Sequence, residues 1–243
     1  MSILSQKRVA LLPKAYWLND ECFAKWLVRH LSPFGRTICD VGAGDGFMLS
    51  YMNASFSKVF AVEPSLCAIQ VIKNRVEVQN MRIIQAKAES IPLPDSSVDI
   101  AIAKSSLHHF EVMTLGLREM RRIGKRAVAV VEVIAPTPTA LKFAQDLLPQ
   151  KELSRPRSAV FSEMNLKARV ARVSEDVRCL HFDQYIDVKL WLASSDLKRE
   201  AQMRIYSLIE NQTGEIKRDM HIHFQMGRLV MLRRMALVIG LIK

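Results

Sequence analysis

The residues with the clearest chemical potential lie between positions 40 and 63: Asp40, then Gly42, Gly44 and Gly46, then Glu63. The glycines follow a short apolar run, "RTICDVG", and precede "GFMLSYMN", which reads as the beginning of a helix. Glycine at such a turn lets backbone approach a ligand closely. A dinucleotide fingerprint spaces its glycines G-x-G-x-x-G, with the third inside the helix. Here the spacing is G-x-G-x-G. Asp40 stands just before the loop, where a carboxylate repels a pyrophosphate but suits a ligand with a cationic end. S-adenosylmethionine carries an ammonium and a sulfonium and no phosphate. Glu63 falls at the tip of the next apolar run, "KVFAVEPS", and a carboxylate there accepts hydrogen bonds from two ribose hydroxyls. NAD enzymes share that feature. Asp40, the close-set glycines and Glu63 together favour S-adenosylmethionine over NAD.

Holding such a loop takes a buried strand before it and a helix after it, and the chain repeats that pair. Residues 14–31 carry apolar positions at helical spacing, stopped by Ser32-Pro33. Strands are expected at "RTICDVG", 58–65, 81–89, "VDIAIAKSS" and 126–136, with helices at "SLCAIQVIKNRV" and "LGLREMRRI" and a Pro-rich turn at "IPLPDSS". Most strands are continuous apolar runs, the mark of a parallel sheet covered on both faces. The reading is an α/β chain forming one domain over residues 1–243. Its core sheet occupies 35–136 with about 177–184 and 227–240, mostly parallel with an antiparallel last strand. Helical cap elements at about 137–165 and 185–225 are expected to cover the cleft at the strand ends, and the helix that ends "SRPRSAVFSEMNLKARV" is expected to be capped by Ser162.

The segment "QAKAESIPLPDSSVDIAIAKSSLHHF" resembles the "GDAExLPFxDxSFDxVxxxxxLHH" stretch of class I methyltransferases of the ubiquinone/menaquinone-biosynthesis type, the type 11 family. Ile91-Pro92, Pro94-Asp95, Ser97, Asp99 and Leu107-His108-His109 fall in register, and "LREMRRIGKRAVAVVEV" is similar to the family's "LREMARVLKPGGRLVVVD". The likeness runs from about Thr37 to Pro136. It implies a Rossmann-like methyltransferase sheet and S-adenosyl-L-methionine as cofactor, with S-adenosyl-L-homocysteine as product. It also implies that Asp40, Gly42 and Gly44 line the methionine end, that Glu63 holds the ribose, that Ala88 and Glu89 sit beside the adenine, and that the backbone near Lys104-Ser105 closes the pocket. Lys87 stands where the family often has an Asp that contacts the adenine amino group, and a lysine cannot accept that hydrogen bond.

Methyl transfer from a sulfonium is an in-line displacement governed by approach geometry and desolvation. A base is needed only when the acceptor atom carries a proton at neutral pH. His109, after the fourth strand, is the first candidate base, with His108 behind it; Glu132, on the fifth strand, is a candidate acceptor-site carboxylate. The bland reading of the His pair is structural, because it recurs in relatives with different substrates. Tyr16 and Trp17 are candidates for an aromatic lid or for core contacts. Arg155 and Arg157 are candidates for an anion contact or a solvated loop. His221 and His223 alternate, but no third ligand is evident, so no metal is expected.

The net charge of +11 on 243 residues is spread along the chain rather than gathered in a tail. It fits nucleic acid, an anionic substrate or simply a basic protein. A small-molecule acceptor ranks first and RNA second, since neither a Pro-Cys nor an Asn-Pro-Pro-Tyr-like motif is present. A non-catalytic protein of this fold ranks third. The four cysteines have no Cys-x-x-Cys spacing, and Cys39 and Cys67 are expected to be buried free thiols. No apolar run is long enough for a transmembrane helix and no signal peptide is evident, so a cytoplasmic location is expected. Twelve methionines and the apolar C-terminal run offer an interface for a homodimer.

Overall fold

The parallel strands of the sheet are built mainly from β-branched and small apolar residues. In the computed structural model, which describes residues 18–76, 80–151, 161–193 and 197–243, these strands are β1 (Thr37–Val41), β2 (Lys58–Val62), β3 (Met81–Ile84), β4 (Val98–Lys104) and β5 (Gly124–Ile134). Between and around them lie helices α1 (Asp20–Leu31), α2 (Leu49–Ser55), α3 (Leu66–Arg75) and α4 (Met113–Ile123). Helices α5 (Pro138–Lys151), α6 (Glu163–Val170), α7 (Val188–Ala193), α8 (Arg199–Glu210) and α9 (Gly214–Asp219) follow, with strands β6 (Val177–Asp187), β7 (His223–Gln225) and β8 (Arg228–Leu241). The strand order is β3-β2-β1-β4-β5-β8-β6, with β7 antiparallel to β8. The pairs β1/β2, β1/β4, β2/β3 and β4/β5 are parallel. No helix among the described residues is long and apolar enough to cross a membrane.

The chain divides into two compact units. One comprises Glu21–Glu132, Met164–Leu180 and Ala236–Lys243. In it, α1 buries Phe23, Ala24, Leu27, Val28 and Leu31 along one stripe, while Lys25 and Glu21 pair on its wet side. Ser65 caps α3 by accepting the Ala68 N–H. Asp99, at the start of β4, accepts hydrogen bonds from the backbone N–H groups of Arg36 and Thr37 and from the Thr37 hydroxyl, which joins the entries of β1 and β4.

The Pro-rich segment after β3 is fastened by one guanidinium. Arg122 donates to the carbonyls of Ile91 and Leu93, to Asp95, and to both carboxylate oxygens of Glu119. Its five N–H donors are thus fully used. Glu119 also accepts the Ile91 N–H. The residues that gave "IPLPD" and "LREMRRI" their recognisable spacing are therefore partners. Gly124 opens β5 directly after Ile123, with no intervening loop, and a Cβ there would meet the Met120 carbonyl oxygen at 2.9 Å.

The other unit contains Val133–Glu163, His181–Met235 and the described residues before Glu21. It has its own core, in which Phe143, Ile186, Trp191, Ile205, Ile209 and Leu229 pack together. Arg234 grips Asp183 with two hydrogen bonds of 2.7 and 3.0 Å. The β7–β8 hairpin turns on Met226-Gly227, both with positive φ (49° and 74°), the two-residue turn that matches strand twist. Met226 is 97% exposed at its tip.

Several boundaries differ from the sequence expectation. The third strand stops at Ile84 rather than running to 89, because its partner β2 ends at Val62, the residue paired with Ile84. β6 extends to Asp187 and β8 is one continuous strand from Arg228. Cys39 is buried, and burial together with the neighbouring Asp40 pushes its thiol pKa up. Cys67 is exposed, contrary to expectation, since α3 turns Ile69 and Ile72 inward and leaves its first turn outside.

Candidate active site

β1 lies between β2 and β4, so the loops leaving β1 and β4 diverge at the carboxyl edge of the sheet. Ligands of open α/β sheets bind at that divergence. Register sets what meets there. Val41 pairs with Val62, which puts Gly42 beside Glu63, and Lys104 pairs with Val131, which puts Ser105 beside Glu132.

The three glycines of the loop serve three different needs. A Cβ on Gly42 would come within 2.6 Å of the Ser106 Cβ, so Gly42 lets the loop after β4 close against β1. A Cβ on Gly46 would meet Ile72 at 2.9 Å, so Gly46 admits α3. Gly44, at φ +59°, would carry a Cβ into open space. The backbone there is bare and open to approach.

Glu63 is only 7% exposed. Its Oε2 accepts the Gly44 N–H at 2.8 Å and its Oε1 accepts the Ser65 N–H at 2.9 Å. The Gly42 and Ala43 N–H groups donate to the Val62 carbonyl at 2.8 and 3.0 Å. The carboxylate thus shapes the glycine loop, and each of its oxygens retains a second lone pair for a hydroxyl. Asp40, 3% exposed, sits one register step inside the edge, paired with Ala61 and Ile102. A cradle of bare backbone beside a buried carboxylate with spare acceptor capacity fits a ribose-bearing ligand with a cationic end.

Past β3, Ala88 is buried and Glu89 is half-buried. Glu89 Oε1 accepts the Val112 N–H at 3.0 Å, directly before α4, so it secures the start of that helix. Lys87 pairs with Glu111 at 2.6 Å, and this exposed contact raises the lysine pKa.

At the end of β4, Ser105 takes a left-handed φ of 51° and donates its N–H to Val131 at 2.7 Å. Ser106 donates its hydroxyl to the Val41 carbonyl at 2.7 Å. The Phe110 ring occupies the space where Gly116 would carry a Cβ, which anchors the far end of the same loop. The Lys104 ammonium lies 5.5 Å from the Phe47 ring centre and 5.8 Å from that of Phe23, within cation–π range. His108 Nδ1 meets Glu132 Oε2 at 2.9 Å, and the His108 and His109 rings are 4.0 Å apart. His109 itself is exposed.

Asp40, Gly42, Gly44, Glu63, Ser105 and Glu132 therefore share one edge of one sheet. The sequence pointed to His109 ahead of His108, whereas Glu132 meets His108. Ser106 and Phe110 were missed; the signal for both was that a small residue and an aromatic bracket "SSLHHF", facing Gly42 and Gly116. His221 and His223 are engaged otherwise, His221 with the Tyr185 hydroxyl at 3.1 Å and His223 with the His221 carbonyl at 2.7 Å. Tyr16, Trp17, Arg155 and Arg157 lie outside the described residues.

Residues 39–132 match a family model described as a methyltransferase domain. The chain is 28% identical over 132 residues to YcgJ of Bacillus subtilis (strain 168), an uncharacterized methyltransferase, covering 52% of each. It is 30% identical over 108 residues to an uncharacterized methyltransferase of Mycobacterium bovis (strain BCG / Pasteur 1173P2), covering 44% of this chain and 42% of that one. The chain thus spans about half the length of the curated relatives it matches. The crystal structure of YcgJ from Bacillus subtilis superposes with a TM-score of 0.75 at 19% identity, over 90% of this chain and 97% of that one. The architecture is the Rossmann-like fold of such proteins.

Proposed function

We propose that this chain, whose residues 39–132 are a methyltransferase domain, transfers the methyl group of S-adenosylmethionine to a small-molecule acceptor. The bound cofactor supplies an electrophilic methyl on a sulfonium. The chain's own residues hold and orient it. Asp40 offers a buried carboxylate to the cationic end, and the backbone of Gly42 and Gly44, bare at Gly44, lines the methionine portion. Glu63 accepts the ribose hydroxyls with the lone pairs its two backbone donors leave over. Ala88 forms an apolar wall for the adenine. Lys87 is paired with Glu111, while Glu89 gives only Oε1 to the Val112 N–H and keeps Oε2, so Glu89 or backbone atoms accept from the adenine amino group.

The observation that carries this reading is the Glu63–Gly44 hydrogen bond, which ties a ribose-type carboxylate to the one loop glycine that faces open space. Isothermal titration tests it. S-adenosylhomocysteine should bind at one site per chain and NAD should not compete. Preference for NAD would overturn the reading. A small-molecule acceptor is supported by the likeness of the sequence to the ubiquinone/menaquinone-type enzymes.

A further inference from the structure

Glu132, near the carboxyl end of β5, is a buried carboxylate that the cofactor-binding assignment leaves unused. It is 2% exposed. Its Oε2 bonds the His108 ring, and its Oε1 is buried without a hydrogen-bond partner among the described residues. A buried oxygen left so is costly and calls for a reason. With Glu132 ionised, the carboxylate can only accept, and the 2.9 Å bond then requires the proton on Nδ1 of His108. In that state neutral His108 is the Nδ1–H tautomer, with Nε2 as its basic nitrogen. The 3-10 turn Leu107–His109 that carries it is fastened to the end of β1: Ser106 is bonded to the Val41 carbonyl next to Gly42, and the His109 N–H is bonded to the Ser106 carbonyl at 2.9 Å.

We propose that His108 is the general base of the transfer, that Glu132 is its positioning residue, and that the acceptor is accordingly a hydroxyl compound of the phenol type. This inference rests on the methyltransferase reading above. In the step, Nε2 takes the proton of the acceptor O–H while the oxygen forms a bond to the donated methyl carbon. The carbon–sulfur bond breaks and its electron pair stays on sulfur, which becomes a neutral thioether. The proton remains on His108, and the imidazolium so formed is opposed by the Glu132 carboxylate. A tertiary amine or a pre-ionised thiolate needs no such base, so the pair is of use only to an acceptor atom that arrives protonated.

Two measurements on the full chain test this. The first is nitrogen NMR of histidine-labelled protein with S-adenosylhomocysteine bound, His108 being identified by the signal lost in His108→Asn. The Nδ1–H tautomer is expected in the wild type, and Glu132→Gln should shift His108 toward the other tautomer and lower its pKa. An Nε2–H ring, or a tautomer indifferent to Glu132→Gln, overturns the pair. The second is methyl transfer to 4-nitrophenol, catechol, thiophenol and N,N-dimethylaniline. The two phenols should be methylated, and His108→Asn and Glu132→Gln should each lower kcat by about 10²-fold or more, the usual worth of a general base. Their affinity for S-adenosylhomocysteine should stay within about twofold of wild type, since neither residue is assigned to the cofactor. Preference for the thiol or the amine, failure to methylate either phenol, or full phenol activity in His108→Asn overturns the proposal. Loss of S-adenosylhomocysteine binding in the wild type would instead remove the methyltransferase reading beneath it.

Discussion

Glu63 reaches back to the glycine loop and accepts the Gly44 N–H at 2.8 Å, so the residue assigned to the ribose also builds the cradle for the rest of the ligand. Substitution of Glu63 should therefore act twice. Glu63→Ala leaves the Gly44 and Ser65 N–H groups without their acceptor and removes the ribose contact. Calorimetry with S-adenosylhomocysteine should show a loss of about 1.5–3 kcal/mol, the range for a hydrogen bond to a charged group. Glu63→Gln should also lose affinity, because its amide NH₂ cannot accept from a second backbone N–H. Unchanged affinity in both variants contradicts the assignment.

The glycines separate folding from binding. Gly42→Ala forces a Cβ against Ser106 at 2.6 Å and should destabilise the fold by about 1–3 kcal/mol, as overpacking does. Gly44→Ala meets no atom within 4 Å and carries only the strain of a left-handed φ, roughly 1–2 kcal/mol. Its larger effect should fall on cofactor binding. Thermal melts paired with titrations decide this; the assignment is wrong if Gly44→Ala binds S-adenosylhomocysteine like wild type.

Arg122→Lys removes the planar fork that holds Glu119, Asp95 and the carbonyls of Ile91 and Leu93. A stability loss of about 2–3 kcal/mol is expected in urea unfolding. The pH dependence should change as well. The hydrogen bond from Arg122 holds the Glu119 carboxyl below its ordinary 4.5, with burial opposing and the Ile91 N–H adding to the pull. A depressed folded pKa gives stability that is full above 4.5 and is lost as pH falls through the folded value. In Arg122→Lys the acid loss should be shallower. Parallel pH profiles in both proteins would refute the coupling.

Net charge alone does not make RNA the acceptor. An RNA enzyme of this charge should hold tRNA with an affinity that falls steeply with salt, because each neutralised phosphate releases counterions. Filter binding at low and moderate salt, with labelled methyl donor present, should show weak retention and no methyl incorporation into tRNA. Tight, salt-sensitive binding with incorporation reverses the ranking of acceptors.

The parallel core was legible because most strands are apolar runs punctuated by turns, and the turn after β1 because Gly42 and Gly46 stand where a Cβ would collide with Ser106 and Ile72. The end of β3 was not legible. Gln85-Ala86-Lys87 continues the alternation of a strand, yet pairing stops where the neighbour β2 stops, and that is a property of another segment. The choice between His108 and His109 was hidden for a similar reason. Adjacent residues are chemically equal in the sequence, and only the turn after Ser106 decides which ring meets Glu132. Glu89, which the family resemblance implies beside the adenine, also caps a helix: its bond to Val112 claims one oxygen, and no sequence spacing revealed that contact.

The joint between α4 and β5 has no loop, and Gly124 follows Ile123 with Met120 pressed against it. β5 already holds one extra residue at its start, since the step from Val98 to Ile100 on β4 faces the step from Gly124 to Ala127 on β5. From there on, Ala127 to Val131 pair one for one with Ile100 to Lys104. An advance of one residue in that stretch turns every side chain of the strand to the opposite face. Glu132 would then point away from His108. Homologous chains that keep both the arginine and the carboxylate are thus expected to differ in length only at 124–126 and to keep the number of residues from Ala127 to Glu132.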